Sequence, residues 1–342
     1  VATTLLFAGL GTLLFHLITK GEIPAFLGSS FAYLAGYWAI APNGEAELLP
    51  YACFGVAVSG LMYVILAAII KSVGVKKVMR YFPPIVTGPM IIMIGLNLSG
   101  SAINNAATCW WLALVAMVII VVANIWGKGM VKIIPILLGV VIPYVVALVA
   151  GMVDFSGLDV QGLFGGTTPL LGFQPFVTNF GGSIAKFDIS AILVMAPIAI
   201  ASMMEHIGDM SAISATVGEN FIEDPGLHRT LIGDGIATSL SAMFGGPANT
   251  TYGENTGVLV LSRVHDPKVI RLAALYAIIL SFSPAFAYLV NTIPAALIGG
   301  VSFILYGMLS AIGVRTVVAN QVDFTNSRNL LIAAAIPVGG RG

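Results

Sequence analysis

Long apolar runs recur along this 342-residue chain and restrict its fold more than any other feature. A run of about 17–25 apolar residues can cross a bilayer as one helix. Inside hydrocarbon every backbone N–H and C=O needs an internal partner, so such runs are read as helices. They lie at 2–19, 49–70, 83–104, 109–126, 131–152, 189–216, 229–246, 267–290, 294–313 and 329–342, and predict ten regular spans. Composition agrees: 58% of residues are hydrophobic and 9% charged, against roughly 25% charged in a soluble domain. The 15 basic and 15 acidic residues cancel, which leaves no electrostatic footprint for nucleic acid. Cys53 and Cys109 both sit in apolar sequence without metal-ligand or redox spacing, and read as small packed hydrophobes.

Two further segments, 26–41 and 247–262, are short and rich in Gly, Ser, Thr and Pro. Each reads as a half-helix entered through extended backbone, an arrangement tolerated at membrane depth only against protein or a wet cavity. Lys71, Lys76, Lys77 and Arg80 place the 71–82 loop on the cytoplasmic side. Counting outward with twelve crossings puts Lys20, Lys128, Lys132, Arg229, Arg263, Lys268, Arg271, Arg315 and Arg328 on that side too, leaving Lys186 and Arg341 opposite. The 153–187 connection falls on the outer face and joins two halves. The chain begins and stops within apolar stretches, so it is expected to be truncated at both ends.

The halves resemble each other. Pro83-Pro84 followed by Gly88 and Gly95 matches Pro294-Ala295 followed by Gly300 and Gly307, with both glycines at the same offset. Pro24-Ala25 before Gly28-Ser29-Ser30-Phe31 likewise matches Pro247-Ala248 before Asn249 to Glu254. The crossing count runs the two broken segments in opposite directions, which predicts an inverted repeat with a substrate site near the midplane.

Two acids lie inside membrane-grade sequence. An isolated Asp or Glu at the bilayer centre costs about 2.5–3.5 kcal/mol even on lenient scales, so such acids usually line a path or a site. Glu254 follows Tyr252-Gly253, where glycine lets a ligand approach the backbone and the half-helix presents its partly positive N-terminus. A carboxylate beside free backbone N–H suits a planar heterocycle with alternating N–H and C=O edges. Capping of the half-helix by Glu254 remains the plainer alternative. Glu205 lies midway along 189–216, with His206 adjacent and Asp209 one turn on. Two acids so placed in low dielectric resist joint ionisation, which lets one carry a proton. The plainer alternatives put Asp209 at the cytoplasmic water line and make His206 a satisfied bundle histidine. Phe31 sits at the first break, where it can stack on a flat ligand or simply pack, and Tyr306 between the second glycine pair has the same two readings.

These residues resemble a known family. Glu254-Asn255-Thr256-Gly257-Val258-Leu259-Val260-Leu261-Ser262-Arg263 is similar to the signature of the nucleobase–ascorbate transporters, also called nucleobase:cation symporters: an acid or amide, Asn, any residue, Gly, four residues, then Thr and a basic residue. Ser262 stands where Thr is usual. Asp224-Pro225-Gly226-Leu227-His228-Arg229, Gly28-Ser29-Ser30-Phe31 and Glu205-His206 are similar to their counterparts in the bacterial uracil permeases of that family. The resemblance covers nearly the whole chain. It implies an all-α polytopic membrane protein of two inverted seven-span repeats, with two broken spans containing short extended segments. It implies a core domain at 1–82 and 188–291, a gate domain at 83–152 and 292–342, and an outer loop at 153–187.

The resemblance further implies that Glu205 and Glu254 hydrogen-bond the base, that the backbone at Phe31 and Gly253 contacts it, and that Tyr252 and Tyr306 line the pocket. Proton coupling would involve Glu205, Asp209 and His206. Asp209 stands where a well-known uracil permease carries His, which puts the relay at that position in question. The implied partners are uracil or a related nucleobase, protons and the lipid bilayer, with a homodimer as a candidate assembly and no cofactor or metal. The implied place is the bacterial cytoplasmic (inner) membrane. Glu at 254 resembles the uracil branch, and a xanthine or urate symporter of the same family is the runner-up. An anion transporter of the same fold would want an anion site without acids. A membrane enzyme would need a nucleophile–base pair or a metal set, which four scattered histidines do not supply.

Overall fold

Long apolar sequence folds as helix because the intrachain ladder alone satisfies its backbone. The computed structural model describes residues 1–80, 83–153, 185–253, 255, 259, 264–319 and 321–339. Helices α1 (Ala2–Ile18), α2 (Leu34–Ile40), α3 (Leu49–Val73), α4 (Val75–Met79), α5 (Pro84–Ala107), α6 (Trp110–Trp126), α7 (Met130–Ile133) and α8 (Pro135–Val149) come first. Helices α9 (Ile189–Val217), α10 (Leu227–Met243), α11 (Pro267–Ser281), α12 (Pro284–Asn291), α13 (Ala295–Ala319) and α14 (Ser327–Gly339) complete the order. Two short strands interrupt them, β1 (Leu27–Ser29) and β2 (Asn249–Thr251).

Among the described residues, α3, α5, α9 and α13 are each long and apolar enough to cross a membrane, while α1, α6 and α8 are shorter apolar helices. One expectation is corrected. The run at 267–290 is not one regular span but the pair α11 and α12, bent by 88°. Pro284 lacks an N–H and its ring crowds the preceding turn, which weakens a helix at that point and suits Pro284 to its place as the first residue of α12. The Ser283 hydroxyl starts the next helix by accepting from the Phe286 N–H at 3.1 Å. The run at 131–152 is also divided, with the single turn α7 set off before Pro135.

Both segments expected to be broken contain extended backbone. The first runs from β1 through a 3₁₀ turn at Phe31–Tyr33 into α2. The second enters through β2, and most of its remainder, including Glu254, lies outside the described residues, as does most of the 153–187 connection.

The chain divides into two compact units, Val1–Tyr81 with Leu158–Tyr288, and Phe82–Gly157 with Leu289–Gly342. In the first, α10 packs on α3 and α1, α9 on α3, and α1 on α11. Glycines permit the α3–α10 approach: a methyl group on Gly235 would stand 2.5 Å from the Gly60 carbonyl oxygen. At one end of this unit Arg229 and Arg271 donate to the carbonyls of Ile18 and Gly21, each at 3.3 Å, satisfying groups at the C-terminus of α1. In the second unit α13 packs along α5 and α6, α6 against α8, and α14 against α5. Its core gathers Leu112, Ala116, Ile120, Ala147, Ala296, Leu297 and Val301.

Candidate substrate site

Strands β1 and β2 pair antiparallel, with Leu27 opposite Thr251, Gly28 opposite Thr250 and Ser29 opposite Asn249. The ladder extends at both ends, Ser30 N–H donating to Ala248 O and Tyr252 N–H to Phe26 O, each at 3.0 Å. Each strand is also held by one threonine of the helix before it. The Thr12 hydroxyl on α1 accepts from Leu27 N–H at 2.9 Å. The Thr238 hydroxyl on α10 donates to Asn249 O at 2.8 Å and accepts its N–H at 3.3 Å. Asn249 reaches back to α1, its amide donating to Phe7 O at 2.5 Å. A two-stranded ladder of three residues is marginal by itself; these side chains anchor it.

Three of the expected site residues, Tyr252, Gly253 and Asp209, meet at this crossing. Tyr252 leaves the end of β2 and lies over β1, so a methyl group on Gly28 would run into its ring. The Tyr252 hydroxyl is 3.1 Å from Ser29 Oγ. Gly253 comes next, and a methyl group there would collide with the Asp209 carboxyl, 3.1 Å from its Cγ. Asp209 is therefore not a solvated residue at the water line. It is 9% exposed, and its carboxyl packs on the backbone of the second break. Glu205, one turn back on the same helix face, is half-buried. Phe31 opens the 3₁₀ turn after β1 and is also half-buried. Tyr306 belongs to the second unit, on α13, where it is 5% exposed.

His206 faces elsewhere. It is 1% exposed, with Nδ1 2.8 Å from Asp234 Oδ2 and Nε2 2.8 Å from Thr230 Oγ1. Asp234, on α10, is fully buried and accepts from both Thr251 N–H and the Thr251 hydroxyl at 2.9 Å. Sequence reasoning passed over Asp234, yet the signal was present: a further acid, between Gly233 and Gly235, inside the apolar run 229–246. The same intramembrane cost that singled out the other acids applies to it. Thr12, Thr238 and Asn249 carried no such signal, because hydroxyls and amides are common in membrane helices.

A helical membrane protein whose polar interior surrounds a strand crossing has the build of a transport protein, and the comparisons agree. The model of the permease family matches residues 1–340. The uracil permease of Bacillus caldolyticus is 40% identical, covering 99% of this chain and 78% of the relative. Those of Bacillus subtilis (strain 168) and Escherichia coli (strain K12) are 37% and 33% identical, covering 100% and 99% of this chain and 79% and 78% of theirs. In fold, the chain is similar to the transmembrane domain of a cyanobacterial bicarbonate transporter, BicA, with TM-score 0.63, 16% identity and coverage of 99% of this chain and 91% of that one. The chain belongs to the permease family; it is a multi-pass membrane protein and not an enzyme.

Proposed function

We propose that this chain takes up uracil across the bacterial cytoplasmic membrane, coupled to protons, by alternating access. The observation that carries the substrate is the near full-length likeness to proteins named uracil permease, at 33–40% identity. The strand crossing supports the placement. It brings Gly253 against the Asp209 carboxyl, one helical turn from Glu205 in sequence, and lays Tyr252 over Gly28 and Ser29. Glu205 and Glu254 accept from the ring N–H groups of the base, backbone N–H at Phe31 and Gly253 donates to its carbonyls, and Phe31 stacks on its face. Tyr252 lines the same place, and Tyr306 enters on the resemblance alone.

The proton role is kept to Glu205 and Asp209, which share a helix face. His206 was expected beside them, but both its ring nitrogens are engaged on the α10 side. Two inverted seven-span repeats, with the first unit as core and the second as gate, complete the reading. Its support is the matched construction of the two breaks, each entered through Pro-Ala and each clipped by a threonine of the preceding helix.

The test is uptake of radiolabelled uracil into cells or vesicles, with unlabelled uracil or xanthine as competitor and a protonophore as control. Competition by uracil at low concentration and collapse with the protonophore are expected. Competition by xanthine alone would move the chain to the purine branch, and uptake indifferent to the protonophore would remove proton coupling.

A further inference from the structure

The buried Asp234 carboxylate forms a junction of three elements. It meets His206 Nδ1 of α9 at 2.8 Å, and it accepts the N–H and the hydroxyl of Thr251 on β2 at 2.9 Å, while its own backbone belongs to α10. A carboxylate with no exposed surface is tolerable only where donors surround it, and three are supplied here. His206 is held from its other side as well. Its Nε2 meets the Thr230 hydroxyl at 2.8 Å, and that hydroxyl donates to Leu227 O at 2.9 Å. A ring with both nitrogens engaged and 1% of its surface exposed has no free nitrogen to offer a ligand. What it can do is hold Asp234.

Two residues beyond Thr251 lies Gly253, whose backbone packs on Asp209, and Asp209 is on the same helix as His206. We infer that His206 and Asp234 are positioning residues. They latch β2 to α9 so that Tyr252 and Gly253 meet the helix face of Asp209 in one fixed geometry. This deepens the uracil reading and rests on it for the ligand, while the latch itself can be measured without any ligand. A site residue placed about 1 Å off its working position loses much of its effect, so a latch outside the binding surface has a first-order influence on binding.

Two conservative substitutions separate the two contacts of the ring. In His206→Asn the side-chain amide falls near the place of Nδ1 and can still donate to Asp234. In His206→Gln it reaches toward the place of Nε2, keeping Thr230 and losing Asp234. Thr251→Val removes one hydrogen bond from the other side of the junction and leaves the histidine intact.

The experiment is hydrogen–deuterium exchange of the peptide containing 249–253 in the purified full chain, together with uracil binding and the pH profile of uptake. Loss of a hydrogen bond to a buried charge should speed exchange of this strand about tenfold or more in His206→Gln and Thr251→Val, and leave it within about threefold of the parent in His206→Asn. Uracil affinity should fall in the same order, and combining His206→Gln with Thr251→Val should cost less than the product of the two single losses. The pH profile should stay in place in His206→Asn.

Strand exchange in His206→Gln equal to the parent would overturn the latch, as would Asn and Gln variants that are equally impaired. A shifted pH profile in His206→Asn would make the histidine a proton carrier instead. If His206→Gln fails to fold, Thr251→Val decides on the same exchange readout. If the parent binds xanthine and not uracil, the uracil reading falls while the exchange arm still decides the latch.

Discussion

The two units solve the same problem with opposite materials. Among the described residues, and apart from tyrosine, every polar or charged side chain that is buried lies in the first unit, from Thr12 and His16 through His206, Asp209 and Asp234 to Asn249 and Thr251. The second unit is closed by small and aliphatic residues. A methyl group on Gly95 would stand 2.5 Å from the Tyr306 carbonyl oxygen, one on Gly313 2.7 Å from that of Gly88, and one on Gly299 2.8 Å from that of Ala102. In a lipid environment close backbone approach holds helices together in both units, at Gly60 and Gly235 as at Gly95, and the first unit adds a set of buried hydrogen bonds. The two kinds of contact differ in what they specify. Buried hydrogen bonds fix directions and can recognise a polar ligand, whereas a glycine-lined seam fixes only distance. The contrast predicts that substitutions in the first unit change binding and transport, and that those in the second change stability.

The largest expected effect is that of Glu205→Ala. If the half-buried acid on α9 both holds the base and carries a proton, initial uptake of labelled uracil should fall about a hundredfold or more, with thermal stability close to the parent. Proton-driven accumulation that survives this change would break the comparison at its centre and pass the proton role to Asp209.

Next in size is Gly253→Ala. The added methyl group meets the Asp209 carboxyl, so strand or helix must move. Overpacking of this kind costs about 1–3 kcal/mol, and because it falls on the site we expect roughly a tenfold loss of uracil affinity. Isothermal binding measurements check this. Unchanged affinity would mean that the second break and α9 can shift apart without cost, and that Asp209 plays no part in shaping the site.

In the second unit, Gly95→Leu should reverse the pattern. The side chain would enter the seam between α5 and α13, against Tyr306 O and Ser310, and overpacking there should cost about 1–3 kcal/mol of stability. The melting temperature should fall while the folded fraction binds uracil as the parent does. A loss of affinity at unchanged melting temperature would show that this seam also sets the site.

Much of this division was legible in the sequence, for physical reasons that can be named. Helix positions follow from apolar length, since backbone satisfaction leaves no alternative. The first break follows from Gly28, Ser29 and Ser30, and the structure finds extended backbone there. The break at Phe282–Ser283 escaped because a proline in an apolar run has two outcomes. Pro89, Pro143 and Pro197 sit inside continuous helices, whereas Pro284 begins one, with the neighbouring Ser283 hydroxyl accepting from the Phe286 N–H. Asp209 was left between water line and site because one-dimensional periodicity does not show that β2 crosses its helix. Asp234 was missed although the cost of burying an acid was applied to its neighbours. The strand clips by Thr12 and Thr238 could not be read at all, because a hydroxyl's partner is decided by tertiary contact.

The smallest expected effect tests how far a sequence pattern can be trusted. Gly300 and Gly307 matched Gly88 and Gly95 as a pair, and the pattern treats all four alike. The structure separates them. A methyl group on Gly300 would be 2.9 Å from Ala113 Cα, and one on Gly88 3.1 Å from Gly313 O, yet nothing lies within 4 Å of one on Gly307. Gly307 therefore carries no packing constraint of its own among the described residues, and alanine removes the helix-weakening freedom of glycine, worth about 0.5–1 kcal/mol. Gly307→Ala should leave the melting temperature level or slightly raised, whereas Gly300→Ala should lower it. Equal losses in the two variants would show that the glycine pattern reports something other than close approach within this unit, and would narrow the contrast between the units.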